Sequence, residues 1–359
     1  MKKLDALQTV YSYMFPEVKR AVMDTMMPTL MERIRAEPES NSIVSLLKTD
    51  GELLTLIETT FRQDYLSRFL QAPEEMDTMH EPILQKYVDR HSVALPGLAG
   101  FQNRYPTAGS EEGIRETLSY LLMQGVEQVY VLKGEYEGYH FVGETRGYNH
   151  EGETKQLKTI EIDSNTTNVT DIEPGWFFIS NPSARDGNII PNEFIDEVCE
   201  GGHKVFYDLA YVDSTRPHEF DLSHENIRAA VISFSKPYGL FYFRAGAAFT
   251  KEPIPSLYGN KWFKVVPSLL VADKLMDSVN PGELYQKYGP VQEGIIKRIN
   301  DEHGLGMRAS DALLLGHLKK EDVGGFSQEQ LDLIRPFKRG DDYRFCLKPY
   351  YEMLEGDER

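Results

Sequence analysis

Between residues 126 and 249 six short apolar runs recur, VEQVYVL, TIEID, GWFFISN, HKVFYDLAY, AAVISFS and FYFRAGAAF, separated by polar or helical stretches. Runs of this length, rich in Val, Ile, Phe and Tyr, suit buried strands. Their alternation with helical segments predicts a mostly parallel sheet with helices on its faces. Ahead of them, IRETLSYLLMQG has helical spacing and follows LPGLAGFQNRYPTAGSEEG, which its Gly and Pro content marks as a loop. Residues 1 to about 95 read as helical, with Leu53, Leu54, Ile57 and Phe61 at three- and four-residue steps that suit a core-facing stripe. After about residue 251 helical segments such as GELYQKYGPVQEGIIKRIN return, and YRFCLKPYYEML reads as strand and then helix. A chain of 359 residues is longer than one compact core usually absorbs. The expected layout is a large α/β domain over residues 96–255, with a helical segment (1–95) and a C-terminal segment (256–359) contributing to a smaller α+β domain.

Charge and cysteine usage narrow the functional classes. Acidic residues outnumber basic ones by 56 to 39, for a net charge of -17, which disfavours nucleic acid or an anionic membrane surface as partner. No apolar run approaches the roughly 20 residues of a membrane helix. The start, MKKLDALQTVYSYMF, takes on helical spacing with polar interruptions and does not read as a signal peptide. Cys199 and Cys346 are the only cysteines, so no disulfide framework is implied, and a cytoplasmic setting fits. The sequons at Asn165 and Asn168 then read as coincidental. The nine histidines include no H-E-x-x-H and no cluster at ligand spacing, which argues against a metal hydrolase.

The chemistry concentrates in Ser233-Phe234-Ser235-Lys236-Pro237-Tyr238-Gly239-Leu240, followed by Arg244 and Gly246. An amine directly after an apolar strand, hydroxyls one and three residues before it and a guanidinium eight after suit an aldehyde cofactor that bears a phosphate. Alone, SFSK is an ordinary strand end; its partners upstream give it weight. Asp208 ends the run HKVFYD, and Tyr211 follows at what should be the carboxyl end of a strand, where open α/β sheets place ligands. A carboxylate there keeps a pyridine nitrogen protonated and makes the ring an electron sink, while the tyrosine can donate to a phenolate oxygen. Gly109-Ser110-Glu111-Glu112 opens a predicted helix whose amides and positive dipole end suit a phosphate, although a plain capped helix start reads the same way. Tyr136, in LKGEYEGYH, is placed to stack on a flat ring, or to be an ordinary core or surface tyrosine.

This ordered set resembles the fold-type I pyridoxal-phosphate (PLP) enzymes, in particular the class I and II aminotransferase superfamily, over roughly residues 100 to 250 and more weakly to the C-terminus. SFSKPYGLFYFRAG carries the likeness, with the strand-end Asp and Tyr 28 and 25 residues before the lysine. The resemblance implies an aminotransferase-like three-layer α/β sandwich with a mostly parallel central sheet, and a homodimer. It makes Lys236 the Schiff-base lysine, puts Asp208 on the pyridine nitrogen and Tyr211 on the phenolate oxygen, and assigns Ser233, Ser235, Arg244 and the amides of Gly109, Ser110 and Glu111 to the phosphate. Tyr136 goes to the ring face. Arg344, in GDDYRF, looks like the arginine that grips the substrate α-carboxylate, with Arg185 and Lys133 as further candidates for an anionic group.

Two departures from that family stand out. Its Asn-Pro-x-Asn-Pro-Thr-Gly loop is here Asn181-Pro182-Ser183-Ala184-Arg185-Asp186-Gly187, so the asparagine that bonds the phenolate oxygen becomes Ala184. Either Asn181 takes over that bond through a shifted loop, the reading adopted here, or Tyr211 serves alone. Tyr242 stands where the family commonly has glycine, and no residue of the first 95 matches the tyrosine that a neighbouring subunit lends to the phosphate. The expected activity is an aminotransferase acting on an amino acid. The altered loop keeps a non-transaminating lyase or cyclase as the alternative, and the intact Lys236, Asp208 and Arg244 argue against a degenerate regulatory module.

Overall fold

The computed structural model describes residues 4–7, 13, 15–18, 80–143, 146–148, 154–240, 244–263 and 266–357. Leu53, Leu54, Ile57, Phe61 and Tyr242 lie outside the described residues. Seven strands form the main sheet: β1 (Asn103–Thr107), β2 (Gln128–Leu132), β3 (Lys158–Ile162), β4 (Trp176–Ser180), β5 (Lys204–Leu209), β6 (Ile227–Ser233) and β7 (Gly246–Thr250). Their order is β1-β7-β6-β5-β4-β2-β3. The five strands from β3 across to β6 run parallel, and β7 and β1 close one edge antiparallel.

Each of the six apolar runs of the sequence overlaps one of these strands. Successive residues of each strand face opposite ways, so a strand that is apolar throughout must be covered on both sides. That is what occurs. Val129, Val131, Phe178, Phe206, Val231 and Ala248 share one buried cluster with Ile114, Leu118 and Leu121 of helix α2 (Ser110–Met123). Tyr130, Phe177, Ile179, Val205, Tyr207, Ala230, Ile232 and Phe249 turn to the other face, where Ile195, Val198 and Cys199 of helix α4 (Asn192–Glu200) join them. The sandwich therefore has three layers. Helix α1 (His80–Arg90) and the short helix α3 (Gly138–Gly143) complete the surroundings of the sheet that matter for the site.

The stretch read from sequence as one loop contains an element of its own. NRYPT forms β1 at the sheet edge, paired with β7 from Asn103↔Thr250 to Thr107↔Gly246. Pro106 hides it from a propensity reading, because proline is confined to edge strands where its missing N–H opposes no neighbour. β7 runs antiparallel to β6 and β1 antiparallel to β7, so β1 points the same way as the five parallel strands and the chain leaves it at the edge at which β4, β5 and β6 end. Helix α2 starts there.

A second, antiparallel sheet lies in the C-terminal part: β8 (Arg308–Ala309), β9 (Leu315–Leu318), β10 (Lys338–Arg339) and β11 (Asp342–Cys346), in the order β8-β9-β11-β10. The long helix α6 (Glu283–His303) precedes it, after α5 (Val266–Ser278), and α8 (Lys348–Asp357) follows, with α7 (Gln328–Ile334) between β9 and β10. Leu7, near the chain start, pairs with Cys346 and exchanges two backbone hydrogen bonds of 3.0 Å with it. No helix among the described residues is long and apolar enough to cross a membrane.

Gly246 holds the closest backbone approach near the carboxyl edge: a Cβ there would lie 2.4 Å from the carbonyl oxygen of Ile232 and 2.8 Å from Cα of Gly109. Neither neighbour is a flexible side-chain end. Gly246→Ala should lower stability by about 1–3 kcal/mol, the usual range for overpacking, measured as a lower urea midpoint with an unchanged slope.

Candidate active site

At the carboxyl edge of β4, β5 and β6 lies a cavity of about 400 Å³, a size typical of small-ligand sites. Lys236 lines it from the turn that follows β6, and Asp208 lines it from the end of β5. Register places Asp208 beside Ser180 on β4 and Val231 on β6. Ser110, Glu111, Tyr136, Tyr211, Ser233, Ser235, Arg244 and Arg344 also line it. The strand-and-helix alternation has thus brought residues 134 positions apart to one edge, since β1 delivers the start of α2 beside the ends of the parallel strands.

One end of the cavity is built to hold an anion. Gly109 precedes α2 with φ of 87°, and a Cβ on it would sit 3.3 Å from Nη2 of Arg244 and 3.6 Å from Oγ of Ser233. The absence of a side chain keeps the approach to the helix amides open. Arg244 itself adopts φ of 51°, unusual for a residue other than glycine, and such strain concentrates at functional sites. Ser233 accepts a hydrogen bond from the Ser235 amide at 3.1 Å, which ties the two hydroxyl-bearing residues together. Glu112, one position beyond the lining, caps the helix by accepting from the Ala108 amide at 2.7 Å.

The opposite chemistry surrounds Asp208. Its carboxylate accepts from the Tyr139 hydroxyl at 3.2 Å and from the Ala210 amide at 3.1 Å, and Tyr139 also meets the Ser180 hydroxyl at 2.7 Å. Burial raises its pKa from 3.8 to about 7 despite these donors. Lys236 is shifted the other way: burial, and then the positive charge of Arg344, lower its pKa from 10.5 to about 8. Burial likewise lifts Tyr211 to about 12, so its hydroxyl keeps its proton and is available as a donor. Tyr211 is held by the turn after β5, whose Asp213 meets His91 Nε2 at 2.5 Å while His91 Nδ1 faces the Tyr87 carbonyl at 2.8 Å. Tyr136 donates to Glu111 at 2.5 Å and packs edge-on against Tyr139, with ring centres 5.6 Å apart.

Asn181 is a correction. It is buried and does not line the cavity. Its side-chain NH₂ donates to the Ile190 carbonyl at 2.9 Å and the Tyr207 hydroxyl at 2.6 Å, and its carbonyl oxygen accepts from the Ile190 amide at 2.9 Å. With its donors and acceptor engaged, it pins the loop instead of reaching a ligand. Ala184 does line the cavity. Its amide donates to Glu135 at 3.0 Å, and its carbonyl accepts from Nη1 of Arg344. Glu135 is buried, accepts from the Ser183 hydroxyl too, and has its pKa raised to about 7 by burial.

Of the three cations considered for a substrate anion, only Arg344 reaches this cavity. It is 6 % exposed, and its Nε is buried without a hydrogen-bond partner. Lys133 instead pairs with Asp341 at 2.9 Å and Asp163 at 3.5 Å, and Arg185 with Asp342 at 3.4 Å. Sequence reasoning did not single out Tyr139, Ser180, Glu135, Glu137 or Arg339. Ser180 had a signal, a polar residue closing the apolar run GWFFIS beside Asp208's strand; the others had none.

No protein-family model and no curated protein matches the chain. Solved structures do. An aromatic aminotransferase from Pyrococcus horikoshii OT3 superposes with a TM-score of 0.57 at 17% identity, covering 76% of this chain and 82% of that one. An aminotransferase from Staphylococcus aureus gives 0.55 at 14%, covering 77% and 81%. A PLP-bound C-S lyase from Staphylococcus hominis gives 0.54 at 12%, covering 77% and 80%. The chain has the fold of the fold-type I aminotransferases.

The two shifted groups have a measurable consequence in protein without added cofactor. Between pH 3.8 and about 7 folded Asp208 holds a proton that the unfolded chain has lost, so stability falls as pH rises through that window. Above it the burial cost is fully present. Asp208→Asn should therefore raise Tm by several degrees at pH 8 and by little at pH 4. For Lys236 the cost is present below about pH 8 and is relieved as pH rises toward 10.5, so Lys236→Met should stabilise at pH 7 and lose its advantage above pH 10. Thermal melts across pH read both.

Proposed function

We propose that the protein is a pyridoxal-phosphate enzyme acting on an amino acid, with transamination as its reaction. The observation that carries this reading is that Lys236, Asp208 and the donors Ser110, Ser233, Ser235 and Arg244 line one cavity, at the carboxyl edge of a sheet with the aminotransferase fold. The donor set fits the cofactor. Arg244, the two serines after β6 and the open amides of Gly109, Ser110 and Glu111 would hold its phosphate, as helix starts do. Asp208 would accept from the ring nitrogen, and a cation there offsets the burial that otherwise disfavours the carboxylate. Tyr136 would pack on the ring face, and Tyr211 would donate to the phenolate oxygen without help from Asn181.

When bound, PLP supplies an electron sink that makes the α-hydrogen of an attached amino acid acidic. The chain's own residues do the rest. Arg344 grips the α-carboxylate with its planar fork, and the Ala184 carbonyl and Glu135 behind it fix the orientation of that fork. Lys236 suits proton shuttling because its lowered pKa leaves a share of Nζ neutral near pH 7–8, able to accept the α-proton and hold it. Where Nζ delivers that proton separates transamination from elimination or cyclisation. Fold does not make that choice. The replacement of the usual loop asparagine by Ala184 keeps the lyase or cyclase reading as the second one. A homodimer in a cytoplasmic setting belongs to the same proposal.

Lys236→Ala should abolish both the imine absorbance of the cofactor-loaded protein and its turnover; full activity in that variant would overturn the assignment. Incubation with an amino acid alone should convert the cofactor to pyridoxamine phosphate, and 2-oxoglutarate added afterwards should return it to pyridoxal phosphate with formation of glutamate. Persistent pyridoxal phosphate with released ammonia or a cyclised product would favour the second reading.

A further inference from the structure

The cavity holds a cation that the proposed chemistry leaves unused. Arg339, on β10, lines it together with Glu137, and the two side chains form an ion pair across the gap between the small sheet and the loop after β2. Arg344 lies on the neighbouring strand of the same hairpin and lines the same cavity. Burial, and then the charge of Arg344, lower the pKa of Arg339 to about 10, which still leaves the guanidinium charged at neutral pH.

A plain interdomain tie is a poor account of this pair, because the junction is already tied without it. Lys133 pairs with Asp341 at 2.9 Å, and Arg185 with Asp342 at 3.4 Å. Gly134 and Gly340 approach so closely that a Cβ on Gly134 would lie 2.8 Å from the Gly340 amide nitrogen. Those contacts set where Arg339 stands. Within the pair the arginine is the sheltered member, with its side chain 22% exposed, and Glu137 the open one, at 46%. An incoming anion can therefore displace Glu137 into water, whereas Arg339 stays lined up with the cavity.

Resting on the reading of the site as one for amino acids, we infer that the substrate carries an anionic side chain, a carboxylate or a phosphate, and that Arg339 binds it by exchanging Glu137 for it. Arg344 then takes the α-carboxylate and Arg339 the distal group. A planar fork suits both anions. Glu137 acts as the internal competitor that covers the cation when no such substrate is present.

The test is titration of the cofactor-loaded protein with L-glutamate, O-phospho-L-serine, L-glutamine and L-lysine, reading the change in visible absorbance. Glutamate or phosphoserine should bind at least about tenfold more tightly than the near-isosteric glutamine, and whichever binds more tightly names the anion. In Arg339→Gln the glutamate-to-glutamine ratio should fall to within about twofold of one, and in Glu137→Gln it should rise. A ratio near one in the unaltered protein, a preference for lysine, or a ratio that survives Arg339→Gln overturns the inference while the cofactor reading stands. A loaded protein whose absorbance no amino acid perturbs overturns both.

Discussion

Two opposite charges buried under one sheet edge are what the rest of this structure has to support. Asp208 and Lys236 are both shifted toward their neutral forms by burial, each by more than two pH units from its ordinary value. Each unit corresponds to about 1.4 kcal/mol, so the pair holds several kcal/mol against folding, comparable to the whole net stability of many domains. The compensation comes from strands covered on both faces. Val205, Phe206, Tyr207 and Leu209 of β5 are essentially inaccessible, and they lead directly to Asp208 or follow it. The strand that carries the carboxylate cannot shift without disturbing a three-layer core. A buried carboxylate held in place with a raised pKa is what the proposed role of Asp208 requires, because a cation beside it would offset the cost of its burial.

The loop between β4 and α4 shows how a departure from a family pattern is absorbed. Asn181 is spent on holding the loop to Ile190 and Tyr207, and the position expected to carry the second asparagine is an alanine whose main chain does the positioning. The Ala184 amide is anchored by Glu135 and its carbonyl receives Arg344, so the backbone of one residue links a buried acid to the candidate carboxylate-binding arginine. A carboxylic acid held near neutrality by burial can serve that anchoring in either protonation state, since each leaves an oxygen to accept the amide.

Legibility followed chain distance. Strands β2 and β4 to β7 stood out because strands covered on both faces are apolar at nearly every position, and the lysine with its hydroxyls and arginine fell within a dozen residues of one another. β1 was hidden by Asn103, Arg104 and Pro106, tolerated because it lies at the edge. In the small sheet β11 was legible as the apolar start of YRFCLKPYYEML, whereas β8, β9 and β10 are two to four residues long, too short for a period to register. Tyr139 and Arg339 were beyond reach for a different reason. Each matters because of a residue tens or hundreds of positions away, and only the topology brings Tyr139 to Asp208 or Arg339 to Glu137. Asn181 was misassigned because motif alignment fixes which residue stands at a position, whereas its hydrogen bonds fix what that residue can still do.

The junction between the two sheets joins these themes. The residues that tie it, Lys133, Gly134, Arg185 and Asp186 against Lys319, Gly340, Asp341 and Asp342, sit beside those that line the cavity, Tyr136, Glu137, Ala184, Arg339 and Arg344. Arg339 and Arg344 flank the tied turn on a single short hairpin, so any shift of that hairpin moves both arginines together relative to Lys236. Surface ion pairs contribute little stability individually. Their use here is geometric: several weak ties on one turn define the separation between the guanidinium groups and the amine, a distance that neither sheet could set by its own packing.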